Sequence, residues 1–277
     1  MLGIEALPAV LYTLLILKIP YSPRWLYLQG NHDGAKEILS GIYTTEQIKQ
    51  LLEEIEEEQA ATPTEGNKEN IYQPKYRYIL SLAFFIAFFN QFSGINAFLY
   101  YAPRIFEAGG LGNSTSLLSS VGIGIVNLIF TLIGINFIDR YGRRTLLYIG
   151  SFGYIVSLSL IAASFAFEWG GLALPLFLFL FIASHAIGQG AVIWVFISEI
   201  FPNHLRSSGQ SFGTSTHWIL AAIIPSMVPV LFSSIGAATV FGIFAFMMLL
   251  QLVFVHFYMP ETKGISLEQL SKNFQQQ

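Results

Sequence analysis

Charge is missing from this chain over lengths that point to a membrane. Residues 78–103, 108–138 and 145–167 hold no Asp, Glu, Lys, Arg or His; 169–198 holds only His185, and 207–260 only His217 and His256. A helix crosses the hydrocarbon core of a bilayer in about 20 apolar residues. A backbone in lipid can satisfy its own polar groups only as a helix or a closed barrel. The last run is long enough for two spans with a turn at Ser233-Ser234-Ile235-Gly236, which makes six. Residues 6–17, ending at Lys18, form a shorter one at the amino end. Composition agrees: 53% of the residues are hydrophobic and 11% charged, against roughly 25% charged in soluble domains. The expected class is an all-α polytopic membrane protein.

The basic residues give the orientation. After the first span come Arg24, Lys36, Lys49, Lys68, Lys75 and Arg77, and the next loop has only Arg104. Arg140, Arg143 and Arg144 follow, then Arg206 two loops on, then Lys263 and Lys272 in the tail. With Lys18, 13 of 14 basic residues fall on one side. Cytoplasmic loops carry the excess of Lys and Arg, so that side, with residues 21–77 and the carboxy terminus, is expected to be cytoplasmic. Met1 is followed by Glu5 rather than a basic segment, so a cleaved signal peptide is not expected. The first span is short for a beginning, and the sequence reads as truncated at its amino end.

The chemistry open to the chain is narrow. It has no cysteine, hence no disulfide framework, thiol nucleophile or Cys-based metal site. His185, His204 and His256 lack metal-ligand spacing and read as packing or loop residues, and there is no phosphate-binding loop. Neither catalysis, a cofactor nor a nucleic-acid partner is expected.

Residues 30–60 read as short amphipathic helices. Thr44 or Thr45 can cap a helix whose Ile48, Leu51, Leu52 and Ile55 make one apolar stripe. The stripe needs an apolar surface, most simply the cytoplasmic ends of the spans. The acidic run Glu53–Glu58 reads as a solvated face, and residues 60–70 as a linker.

One charge-free run contains "NQFSGINAFLYY", residues 90–101. Gln91 and Asn96 are about 140° apart on a straight helix, too far for one ligand to meet both. Gly94, beside Ser93, allows the helix to bend or unwind and bring both amides to one side. A neutral amide donates and accepts at once, as a sugar's ring of hydroxyls requires. The alternative is that these amides hold helices together across the bilayer.

"PYSPRWL" (20–26), "NQFSGINAFLYY" (90–101), "DRYGRR" (139–144), "SEIFPNHLR" (198–206) and "PETKG" (260–264) resemble, in order and spacing, the signatures of the sugar porters of the major facilitator superfamily. The likeness covers essentially the whole chain, but only the second part of such a transporter. It implies a six-helix carboxy-terminal bundle of a major facilitator fold, one preceding span and a cytoplasmic helical insertion. The boundaries it suggests are a partial sixth span at 1–20, the insertion and linker at 21–77, the six-span half at 78–260 and a cytoplasmic tail at 261–277. Two positions depart from the family pattern. Tyr21 stands where an acidic residue is usual, and Asn90 replaces the first of two paired glutamines.

The resemblance implies site residues as well. Gln91, Asn96 and Asn90 would contact sugar, and Asn127 in "GIVNLIF" corresponds to a sugar-contacting Asn; its other reading is an interhelical hydrogen bond. Trp194, in "GQGAVIW", could stack on a sugar's apolar face. Trp218 matches a tryptophan at the cavity floor, and both tryptophans have the plain alternative of core or interface belt. His217 stands where relatives carry Gln or Asn and reads as a further sugar contact, with pH sensing as its alternative. Tyr100 and Tyr101 fall at the family's extracellular gate, or in an aromatic belt. Asp139, Arg140, Arg143, Arg144, Glu199 and Arg206 would form a cytoplasmic gate, pairing in the family with the amino-terminal half and the insertion. Glu199 and Arg206 share one face if their helix continues.

The expected function is transport of a monosaccharide by alternating access, as a facilitator or proton symporter. The partners would be the sugar, the bilayer, the missing amino-terminal half and, for a symporter, protons. The rivals are a sensor on the same fold that binds without flux, and an inactive fragment.

Overall fold

The computed structural model describes residues 6–61, 70–169 and 173–264, and among these there is helix but no β-strand. The chain divides into two compact units, Met1–Lys68 and Glu69–Gln277.

In the smaller unit, helix α1 (Ala6–Ile16) is apolar, shorter than a full span, and buries none of its residues. Helix α2 (Pro23–Leu28) opens with proline in its first turn, where a missing N–H costs nothing. In α3 (His32–Ser40) the Asn31 side chain caps the start by accepting from the Gly34 N–H at 3.0 Å. Helix α4 (Thr45–Ala61) begins with the Thr44 N–H and hydroxyl both donating to Gln47 Oε1 at 3.1 Å. That is the reach-back arm of a capping box. The α4 stripe finds a surface inside this unit: Ile48, Leu52 and Ile55 bury against Tyr27, Ala35 and Leu39. Three short helices thus close an apolar core of their own. Within the acidic run, Glu56 is more than a solvated face, because it accepts a hydrogen bond from the Tyr27 hydroxyl. Residues 62–69, most of the expected linker, lie outside the described residues.

Among its described residues the larger unit holds six helical segments long and apolar enough to cross a membrane. The first is broken into α5 (Arg77–Phe92) and α6 (Ile95–Ala108). Helices α7 (Asn113–Tyr141) and α8 (Arg143–Ala166) follow. The fourth segment joins α9 (Ala173–His185) through a π-helical turn, Ala186–Gly190, to α10 (Ala191–Ile200). Helices α11 (Arg206–Ile235) and α12 (Ala237–Phe257) meet at Gly236 alone, a tighter turn than the sequence suggested. Helix α8 packs between α12 and the α9 segment. Gly150 and Gly188 let backbones touch there, since a Cβ on Gly188 would lie 2.8 Å from the Gly150 Cα. Ile71 and Tyr76, before the first span, bury in the core of this larger unit.

Candidate functional site

The polar site begins with the break in the first span. Helix α5 ends at Phe92, Gly94 takes φ +81°, and α6 starts at Ile95. Ser93 secures the corner by donating to the Asn90 carbonyl at 2.6 Å and accepting from the Ile95 N–H at 3.3 Å. The reorientation does what a straight helix could not: the Asn96 amide donates to Gln91 Oε1 at 2.8 Å. Gln91 Nε2 in turn donates to Asn90 Oδ1 at 3.0 Å and lies 3.1 Å from the His217 ring on α11.

Two indoles flank that histidine. Trp194 from α10 meets the His217 ring edge-on with centroids 4.8 Å apart, and Trp218 does so at 5.2 Å. Trp194 is 41% and Trp218 57% exposed, which removes a core role for both. Asn96 is half-buried, while Asn90, Gln91 and His217 are buried. Six of the seven expected sugar-site residues therefore stand in one connected group. Asn127 is not joined to it by a hydrogen bond. It is half-buried on α7, two turns before Gly134, which abuts the π-turn at Ala186 and Ile187. Two turns return to the same helix face. Tyr100 is exposed and Tyr101 packs on the core of the unit.

The structure adds amides that the sequence reading passed over. Gln189 on the π-turn accepts from Asn90 Nδ2 at 3.4 Å and donates to Gln251 Oε1 on α12 at 2.7 Å. Gln251 donates to Ser151 Oγ on α8 at 2.8 Å. Gln189 is the lone amide of the 169–198 run, and Gln251 the lone amide of α12. A search for isolated amides in the charge-free runs would have found both. His185 is more than packing: its Nδ1 lies 2.5 Å from the hydroxyl of buried Tyr154.

At the other end of the unit the expected charges also gather, with a different pairing. The Arg143 guanidinium makes two bonds to Glu199, at 3.0 Å and 2.6 Å, a third to the Ile138 carbonyl at 3.1 Å, and an ion pair with exposed Asp139 at 3.2 Å. Glu199 and Arg206 do not share a continuous helix. Phe201 is extended, Pro202 cannot continue α10, and α11 starts afresh at Arg206. Among the described residues, the Arg206 Nε is a buried side-chain nitrogen without a hydrogen-bond partner. Arg144 donates to the Val255 and His256 carbonyls, and the Arg140 carbonyl accepts from Lys263. Glu261 accepts the N–H groups of Arg143 at 2.9 Å and Arg144 at 3.1 Å, and Thr262 donates to Glu199 at 2.6 Å. Within this unit Arg143 and Glu199 thus pair with each other, and Glu261 and Thr262 of the "PETKG" segment clamp them.

Among the described residues, six membrane-length helices with an aromatic-edged polar seam make an all-α membrane fold. Residues 1–274 match the profile of the family described as "Sugar (and other) transporter", and the chain belongs to that family. It is 36% identical over 280 residues to the putative metabolite transport protein YwtG of Bacillus subtilis (strain 168), covering 99% of this chain and 60% of that protein. It is also 36% identical over 273 residues to the arabinose-proton symporter of the same organism, covering 98% and 59%. Among solved structures it resembles the proton:xylose symporter XylE of the major facilitator superfamily bound to 6-bromo-6-deoxy-D-glucose, with a TM-score of 0.81 at 28% identity. That match covers 98% of this chain and 57% of the other. The chain thus spans about three fifths of the length of the proteins it matches.

Proposed function

We propose that this chain is the carboxy-terminal part of a transporter that carries a monosaccharide (a hexose, pentose or polyol) across a membrane by alternating access, as a facilitator or proton symporter, with no catalysis. The observation that carries the reading is the Gly94 break, which turns Asn96 onto Gln91 beside His217. Similar proteins are named for arabinose, glucose and xylose, all neutral polyhydroxylated solutes. A set of amides with an imidazole and two exposed indoles supplies donors, acceptors and a stacking face without net charge. Such a wall is poorly suited to lipid, which supports an opposing amino-terminal half across a watery cavity. Asn127 belongs to that cavity by its helix face, and Tyr100 and Tyr101 to its outer closure. The Arg143–Glu199–Glu261 cluster, with Asp139, Arg140, Arg144 and Arg206, serves as the cytoplasmic latch. Its orientation follows the basic loops, in the plasma or inner membrane.

The test is uptake of radiolabelled D-glucose, D-xylose and L-arabinose in a transport-deficient host expressing the reading frame with any codons upstream of Met1. Gln91→Ala and Asn96→Ala are each expected to reduce uptake at least tenfold at unchanged surface expression. Wild-type uptake by both variants overturns the sugar site, and binding without uptake by the unsubstituted protein marks a sensor.

A further inference from the structure

Behind the sugar-facing side chains runs an unbroken line of amides across four helical elements, all oriented the same way. Asn96 donates to Gln91 (2.8 Å), Gln91 to Asn90 (3.0 Å), Asn90 to Gln189 (3.4 Å), Gln189 to Gln251 (2.7 Å) and Gln251 to the Ser151 hydroxyl (2.8 Å). Gln189 and Gln251 are each 1% exposed and Ser151 is fully buried, so the inner half of this line meets neither solvent nor solute. We propose that Gln189, Gln251 and Ser151 are positioning residues: Gln189 and Gln251 link the orientations of Asn90, Gln91 and Asn96 so that the site's amides turn only together, and the Ser151 hydroxyl accepts the last N–H and holds the inner end in place.

The argument rests on the symmetry of a carboxamide. Its oxygen and NH₂ ends are nearly equal in size and opposite in function, so packing barely distinguishes one orientation from its flip. Only the neighbours' donors and acceptors choose. In this line each amide chooses for the next. Were Gln251 to turn over, its NH₂ would face the NH₂ of Gln189. Gln189 would have to turn in response, then Asn90, then Gln91. Gln91 would next present its oxygen to His217 and its NH₂ to Asn96. Each misfacing pair leaves buried polar groups unsatisfied, so the line turns as a unit. The π-turn makes the relay possible, because it places Gln189 where α5 and α12 can both reach it. At the outer end the result is that Asn96 commits one N–H inward, leaving its carbonyl to accept from a sugar hydroxyl and its second N–H to donate to one.

This inference rests on the sugar site proposed above, and its test separates the two. Uptake kinetics of radiolabelled D-glucose and D-xylose are measured for Gln251→Leu, Gln189→Leu and Ser151→Ala, with the monodeoxyfluoro analogues of each sugar as competitors. Fluorine accepts weakly and cannot donate, so these analogues report whether the protein presents an acceptor at each position. Expected is a rise in KM of about tenfold with Vmax per surface copy within about twofold. The discrimination between hydroxyl and fluorine at the most sensitive position should also shrink in parallel. Ser151→Ala removes only one oxygen and keeps the test intact if the leucine variants fold poorly. Unchanged KM and unchanged discrimination in the variants that fold, with or without a loss of folded protein, overturn the relay while leaving the sugar site standing, provided Gln91→Ala and Asn96→Ala abolish uptake. Wild-type behaviour of those two, or no uptake by the unsubstituted protein, removes both readings together.

Discussion

At Gly94 a side chain would need a backbone it rarely adopts, φ +81°, and a Cβ there would lie 2.5 Å from the Phe244 ring. Gly94→Ala is therefore expected to cost about 1–2 kcal/mol for the left-handed conformation alone, and more for moving Phe244. The check is the thermal midpoint of the purified protein together with uptake; a midpoint within error of wild type would contradict the strained corner. The pairing of Gln91 with Asn96 was legible because both amides and the glycine lie within one short motif. That His217 closes the same group was visible only as a substitution in a family pattern. The amide relay was not legible as a relay. Asn90, Gln189, Gln251 and Ser151 are far apart in the chain, and their register depends on how four helical elements pack.

Between elements, ties decide more than propensities. Helices α8 and α10 are joined by Arg143, whose side chain is 10% exposed, and Glu199, at 24%. Replacing Glu199 by Gln leaves that guanidinium short of a charged partner and should destabilise the unit by about 2 kcal/mol. Asp139→Asn removes a carboxylate that is 82% exposed and should cost less than about 1 kcal/mol. Thermal denaturation of the two variants side by side checks the ranking, and equal effects would refute it. In the smaller unit the Tyr27 hydroxyl donates to Glu56, which raises the phenol above its ordinary value. A raised folded-state value means the contribution is whole below the unfolded phenol's pKa of about 10 and fades as pH rises through the folded value. A phenolate titration that compares wild type with Tyr27→Phe should show one tyrosine ionising above that pH; an ordinary titration for the missing group would rule out the bond. Sequence periodicity found α4 and its stripe but not its partner surface, because any nearby apolar face satisfies the same pattern. It also left open whether α10 runs into α11, and Pro202 settles that geometrically.

For the whole molecule the open quantity is sidedness, and the absence of cysteine makes it directly measurable. Helix α11 is 30 residues long, about 45 Å at 1.5 Å per residue, so exposed Ser207 and Ser234 sit at its opposite ends. In intact cells a membrane-impermeant maleimide is expected to label the Ser234→Cys protein at once, and the Ser207→Cys protein only after permeabilisation. The reverse pattern would invert the topology. The sequence by itself determined the class: six spans free of Asp, Glu, Lys and Arg, a polar insertion after a short first one, and the side on which the basic residues gather. Lipid enforces that outcome, since a backbone without water has little choice but helix. Only the tertiary structure decided which polar groups meet. Hydrogen-bond partnership depends on ångström-scale distances between helices, and residue type cannot encode those until close packing at contacts such as Gly150 on Gly188 brings the helices into register.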